Sequence, residues 1–376
     1  AMACHLFLLT MCFCAASTHR ISSYEHFLEV FHRGHSSDGT AREARRTLFE
    51  ARIAEIRRLN ARPGRTWTAV VNTFADHSED ELQRLLGYKG SARERTPSRS
   101  SFLEMPTKTS VFTQTVNWLD HLNASAPNFV RDQGACGSCW AAAAAAALEM
   151  HAEIADPTLE PRRVSVDELV DCTPNEKHCG GTGGCKGATS ELAFQYVHDN
   201  GLAVEEDYKV SLLRKCNSRS IPRLVSSTGF SQLPTNELEP LLETLANEGP
   251  AVVSVDASRW SMYGRGIFGD CPKDAVVNHA VLAVGYGEDV NGKYWHIRNS
   301  WTHHWGEQGH IRLVRHESKD DWCGIDYKPE QGVVCEGGPS QVPVCGMCGV
   351  LYDVSYPTGV KVIGTSELHT AQAKPH

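Results

Sequence analysis

Gln133-Gly134-Ala135-Cys136-Gly137-Ser138-Cys139-Trp140 opens directly into an alanine-rich helix. The spacing puts Cys139 on the first turn of that helix, at the positive end of its macrodipole. That position favours the thiolate, the nucleophilic form of cysteine. Gln133 lies just upstream and can offer a side-chain N–H to a developing oxyanion. A disulfide cysteine in front of a buried helix is the structural reading of the same string. Cys136 suits that role, which leaves Cys139 as the candidate nucleophile.

A thiolate needs a partner that takes and returns a proton. Val277-Asn278-His279-Ala280-Val281-Leu282-Ala283-Val284-Gly285 sets a histidine at the head of an apolar run with the character of a buried strand. Tyr294-Trp295-His296-Ile297-Arg298-Asn299-Ser300-Trp301 ends in Asn-Ser-Trp, and Trp305-Gly306-Glu307-Gln308-Gly309-His310 follows. In these blocks and in their order the chain resembles the papain-family cysteine proteases, with His310 where the family has tyrosine. The resemblance implies an α+β, papain-like two-domain fold: a helical left domain and a β-barrel right domain, with the cleft between them. It implies Cys139 as nucleophile, His279 as its ion-pair partner, Asn299 as the group that orients the imidazole, and Trp301 as a shield over that hydrogen bond. Gln133 and the Cys139 backbone N–H would hold the oxyanion. No metal or organic cofactor is implied.

The 376 residues carry 41% hydrophobic residues and a net charge of −8, so a sizeable core is expected and nucleic acid binding is not. Fourteen cysteines point to an oxidising compartment. The short apolar run Cys4 to Ala16 reads as a signal peptide over residues 1–17, too short to span a bilayer, and no other segment could cross a membrane. Asn123-Ala124-Ser125 is an N-glycosylation acceptor, consistent with the secretory pathway and a lysosome- or vacuole-like compartment or the extracellular space. A rival reading joins Cys136-x-x-Cys139 and Cys345-x-x-Cys348 into a zinc site, but such ligand pairs normally lie closer in sequence.

Residues 22–86 have helical composition, with Arg45, Phe49, Ile56 and Asn60 near one helical face. The set resembles the interspersed motif of the cathepsin L-type inhibitory propeptide, with Ala41 and Arg52 as departures. Asn72-Thr73-Phe74-Ala75-Asp76 resembles the second propeptide motif, with Val70 replacing its leading glycine. Both favour the cathepsin L-like branch, and no long insertion with paired histidines suggests the cathepsin B-like one. The resemblance makes the chain's own propeptide an intramolecular inhibitor that runs through the cleft, with Asp76 the carboxylate paired on docking. Residues 87–110 read as a linker and processing region rich in Ser, Arg, Gly and Pro. The peptidase domain follows at 111–376, with a mature start near Ser110. Within it, helical signals cover Cys139 onward, Val166–Cys172 and Ser190 to Val197. Strand signals cover Ala251–Val255, Ala280 to Gly285, Tyr294 to Ile297 and His310–Val314.

By the same resemblance Cys136 pairs with Cys185, and Cys172 with Cys216. Cys271 pairs with Cys323 or Cys348; an insertion at about 316–347 carries Cys335 and Cys345, which lie between those two. Cys179 is extra, and connectivity among these six stays open. Ala142 and Ala143 replace the family's phenylalanine and serine, and a lost buried ring leaves a cavity costing roughly 3–5 kcal/mol unless neighbours close in. The groove backbone becomes Gly187-Ala188. The pocket for the substrate's second residue is expected to use Ala188, Thr189, Ser254, Val277 and Ala280, with Asn278 and Trp301 nearby and either Asp353 or Lys328 as its floor. The expected substrates are proteins and peptides and the mature protein a monomer. The alternatives are a catalytically degenerate binding protein on this fold, and a transpeptidase or ligase that uses the same acyl-enzyme.

Overall fold

The computed structural model describes residues 21–363 apart from 22, 35–37, 89–112, 159 and 219. The signal peptide, most of the linker and the expected start near Ser110 therefore lie outside the described residues.

The N-terminal part is held by one long helix. Helices α1 (Tyr24–Val30) and α2 (Gly39–Asn60) hold a small apolar cluster of Tyr24, Phe27, Leu28, Phe49 and Ala75, while α3 (Glu79–Leu85) buries Leu82 and Leu85 in the main core. Arg45 of α2 forms a two-pronged ion pair with Glu81 and donates to the Asp76 carbonyl at 2.9 Å. Glu81 also closes a capping box with Ser78 at the start of α3. Strand β1 (Trp67–Ala69) is tied to the end of α2 through Asn60, whose amide both donates to and accepts from the Ala69 backbone at 2.8 and 2.9 Å. Ile56, one turn earlier, is buried in the main core. The spaced residues of the propeptide motif are thus the joints of this unit.

Helix α4 (Cys139–Ala155) is buried over Cys139 to Glu153 on every side. Its first ten residues are apolar all round and so belong inside a core, small alanines let neighbours approach its backbone, and the buried Glu149, His151 and Glu153 each have hydrogen-bond partners. Helices α5 (Val166–Cys172) and α6 (Ser190–Asn200) pack beside it. The other half is a nine-stranded sheet whose long members are β2 (Ala251–Val255), β3 (Tyr263–Phe268), β4 (His279–Asp289), β5 (Gly292–Arg298) and β6 (His310–Val314). Strand β1 pairs antiparallel with β3, Trp67 facing Gly266, so the N-terminal part extends the sheet of the catalytic part. Helix α7 (Leu238–Asn247) packs on β2 and β4, just ahead of the first run read from sequence as a strand.

Among the described residues five disulfides join Cys136–Cys185, Cys172–Cys216, Cys179–Cys335, Cys271–Cys348 and Cys323–Cys345. The Cys271 alternatives resolve in favour of Cys348. Cys323 instead closes the hairpin of β7 (Cys323–Asp326) with β8 (Val342–Cys345), which forms the insertion. The zinc reading fails because Cys136, Cys345 and Cys348 are all spent in disulfides. Asn123 is exposed, and its amide donates to the buried Glu153 carboxylate at 2.9 Å. Among the described residues no helix is long and apolar enough to cross a membrane.

The Arg45 guanidinium holds the Glu81 carboxyl down to about 2. A depressed carboxylate contributes stability above its ordinary value of 4.5 and loses it as pH falls toward 2. Thermal unfolding of the full chain with Cys139→Ala should therefore show an acid-labile step in that window, and Glu81→Gln should remove it. An unchanged pH profile in Glu81→Gln would overturn this assignment.

Candidate active site

Cys139 begins α4, His279 begins β4, and Asn299 follows the last residue of β5. The antiparallel pairing of β4 with β5 brings the latter two together: His279 Nε2 lies 2.8 Å from Asn299 Oδ1. That oxygen also accepts the Ser300 N–H at 2.8 Å, which fixes the amide. The Trp301 ring lies 5.1 Å from the imidazole, and Phe74 of the N-terminal part stands edge-on to Trp301 at 5.4 Å. His279 Nδ1 is buried without a hydrogen-bond partner among the described residues. The Cys139 sulfur accepts the Ala280 N–H at 3.3 Å.

Both groups are fully buried, and desolvation dominates them. Burial pushes the Cys139 thiol up to about 11 against the opposing pull of backbone N–H groups from Ala280, Gly87, Trp140 and Cys139 itself. Burial pushes His279 down to about 4, with its Asn299 hydrogen bond opposing. The helix-terminus argument for a lowered thiol value is therefore overridden in this state, because removing charge from water outweighs the partial charge of a helix end.

Residues 85–88 cause that burial. Gln133 Nε2 donates to the Leu85 carbonyl at 3.0 Å, one of the carbonyls a helix end leaves unsatisfied. A methyl group on Gly87 would lie 2.1 Å from the Cys139 sulfur. The Tyr88 N–H donates to the Asn278 carbonyl at 3.2 Å, and its buried ring packs with Ala188 and Ala280. Ser254 Oγ donates to Asp353 at 2.6 Å, which leaves Tyr88 as donor in its 3.0 Å bond to Ser254. Asp353, not Lys328, ends this pocket. Lys328 instead precedes a 3₁₀ turn, its N–H bonded to Asp326. Burial and the nearby Glu191 push the Asp353 carboxyl well above the ordinary carboxylate range.

Several expectations change here. Gly87 and Tyr88 belong to the site rather than to a linker. Asp76 meets Tyr24, Arg33 and His77, all inside the N-terminal part, so it braces that part instead of pairing across the cleft. Asn72 of the same motif does reach across, its amide donating to the Ser261 carbonyl at 2.7 Å. Thr189 is buried as the N-cap of α6, although its side chain makes no capping bond. Gly187 is required by close backbone approach, because an added Cβ would lie 2.2 Å from the Gly180 carbonyl and 2.3 Å from that of Gly87.

The insertion also supplies a strap that sequence reasoning missed. Gly332 presses on the Val277 carbonyl, where a Cβ would lie 2.2 Å away. Two residues on, the Val334 carbonyl accepts the Gly180 N–H at 3.4 Å. Glu336 then bonds the Lys177 carbonyl and His178, and Cys335 is bridged to Cys179. The strap thus joins the two walls of the pocket that holds Tyr88. The odd Cys179 and Cys335 were the only sequence signal for it.

Residues 112–333 match the model of the papain family cysteine proteases. A senescence-specific cysteine protease of Arabidopsis thaliana is 32% identical over 326 residues, covering 84% of this chain and 83% of that protein. A recombinant stem bromelain precursor shares 27% identity at a TM-score of 0.69, over 89% of this chain and 97% of that one. A digestive procathepsin L 3 of Tenebrio molitor larval midgut shares 26% identity at a TM-score of 0.66, over 88% and 96%. The chain belongs to the papain family of cysteine proteases, and its fold is that of their precursors.

Two outcomes follow from the geometry. Gly87→Val should force the segment off the sulfur at a cost of about 1–3 kcal/mol, so iodoacetamide should alkylate Cys139 roughly 10- to 100-fold faster at neutral pH. An unchanged rate would mean that Gly87 does not cover the thiol. Cys179→Ser with Cys335→Ser should lower stability by about 2–4 kcal/mol and, in the enzyme freed of its N-terminal part, weaken discrimination at the pocket. A peptide-library profile identical to the parent's would exclude the strap from selectivity.

Proposed function

We propose that this cysteine protease is an endopeptidase made as an autoinhibited zymogen and working through an acyl-enzyme. Cys139 attacks the scissile carbonyl, His279 carries the proton to the leaving amine, Asn299 orients the imidazole, and Gln133 with the Cys139 N–H binds the oxyanion. The single observation that carries the reading is the run Leu85–Tyr88. It places a carbonyl on Gln133, a bare glycine on the sulfur and an aromatic ring in the adjoining pocket, as a peptide substrate would. Chain direction explains why this peptide is not cut. In a substrate the pocket residue precedes the residue at the sulfur, whereas Tyr88 follows Gly87, so the run is reversed. Cys139 is the free cysteine among the described residues while the others are bridged. A binding protein that needed only the groove has no use for that arrangement. The five disulfides and the Asn123 sequon favour maturation in the secretory pathway and work in a lysosome-like compartment or outside the cell.

Acid release follows from the sign of the His279 shift. Its docked value of about 4 lies below the ordinary 6.5, so its contribution to docking is present above about 6.5 and is lost as pH falls toward 4. The thiol has the opposite sign: raised from 9 to about 11, its contribution to docking is present up to about 9 and is lost as pH rises toward 11. Incubating the purified precursor from pH 7 to pH 4 should therefore yield a shortened, active chain, and Cys139→Ala should yield no activity at any pH. Peptidase activity in Cys139→Ala would overturn the mechanism, and equal neutral-pH activity of full-length and truncated chains would overturn the zymogen. The free pocket should prefer apolar and aromatic residues; a preference for acidic ones would exclude Tyr88 as a substrate mimic.

A further inference from the structure

Behind the site, Ala142, Ala143 and Ala146 of α4 face Ala280, Val281, Leu282, Arg298 and Asn299 across a cavity that also touches Phe129, Arg131 and Ser300. Its volume is about 10 Å³, the least that admits one water-sized particle. It lies where alanines take the place of the larger side chains expected at 142 and 143.

Its polar wall is unusual. Arg131 Nε, Arg298 Nη2 and Asn299 Nδ2 are all buried N–H groups without a hydrogen-bond partner among the described residues. All three residues are at most 5% exposed. Two guanidiniums, Arg131 and Arg298, and two carboxylates, Glu149 and Glu153, are buried here, and Glu149 acts on both arginines, but only Arg131 is bonded to a carboxylate. Arg131 takes both carboxylate oxygens of Glu149. Arg298 has only the Ala124 carbonyl at 2.9 Å and the His310 imidazole at 3.4 Å. Burial and Arg298 itself keep that imidazole neutral. A buried guanidinium without a bonded counter-ion costs stability, as does each unpaired donor. A water would accept from two of the donors but would bring two protons of its own and no charge.

We propose that this cavity binds one small monovalent anion, chloride or a similar halide, held by Arg298, Arg131 and the Asn299 amide. The anion compensates Arg298. It also holds Asn299 with Nδ2 toward the cavity and Oδ1 toward His279, and it places negative charge behind the imidazole.

The test uses the full-length precursor at constant ionic strength, with chloride exchanged for gluconate. Melting temperature should rise by about 2–4 °C per tenfold increase in chloride once the site is occupied. Crystals grown with bromide should show an anomalous peak between Ala142 and Arg298. Ala142→Phe, or Ala142→Leu should the ring not fit, should fill the space and abolish both signals. In the mature enzyme kcat should rise with chloride in the parent and not in the filled variant. Only that readout rests on the peptidase reading. A chloride-independent melting temperature, a water in the bromide crystals, or a filled variant with the parent's chloride response would each overturn the anion site. A chloride-independent kcat with the other signals present would overturn its coupling to His279.

Discussion

Complete burial of α4 is the constraint on which the molecule is built. An amphipathic helix would leave one face in water and lean on a single neighbour. A run of alanines has no face to spare, so α5 and α6 close over one side while β2 and β4 close over the other. Cys139 is the first residue of that helix and is fixed by both halves of the fold at once. The thiol gains a defined position opposite the start of β4. The same closeness makes its charge depend on whether water can reach it, since the backbone N–H groups at the helix start offset only part of the lost hydration.

Water access is decided by the N-terminal part, which uses main-chain recognition in two places. Its strand β1 joins the edge of the sheet at β3, and its Tyr88 N–H takes the Asn278 carbonyl. Edge pairing of this kind supplies affinity with little dependence on side chains. Specific contacts sit between these anchors: Asn72 on the Ser261 carbonyl, Phe74 on Trp301, and Tyr88 on Ser254. The residues of the propeptide motif serve chiefly to shape the unit that presents them. Arg45 binds Glu81, and Asn60 holds β1.

The catalytic blocks were legible because their chemistry needs particular residue types at particular element boundaries. Helix α5 over Val166–Cys172 and the strands Ala251–Val255 and His310–Val314 were legible from periodicity. Helix α7 carried the same kind of signal, since Leu238, Leu241, Leu242 and Leu245 fall at helical spacing on its buried face, but it is short and sits among strand-forming runs with Pro240 in its first turn. Gly87 and Tyr88 were illegible for another reason. Their role comes from where α3 ends in space, and a Gly-Tyr pair beside a polar stretch carries no local signature. The strap escaped because it joins residues 156 apart in sequence through Cys179 and Cys335. Pairing among several cysteines is a property of the fold.

The substitutions at Ala142 and Ala143 tie these points together. Replacing a buried ring by alanine normally costs stability through the cavity it leaves. Here the space lies against Arg298 and Asn299, one carrying a charge without a bonded counter-ion and the other the amide that orients His279. Closing that space with apolar side chains would improve packing and bury the donors for good. Leaving it open keeps a polar contact behind the imidazole. The packing given up on α4 and the space beside the amide that orients His279 therefore come from the same two residues.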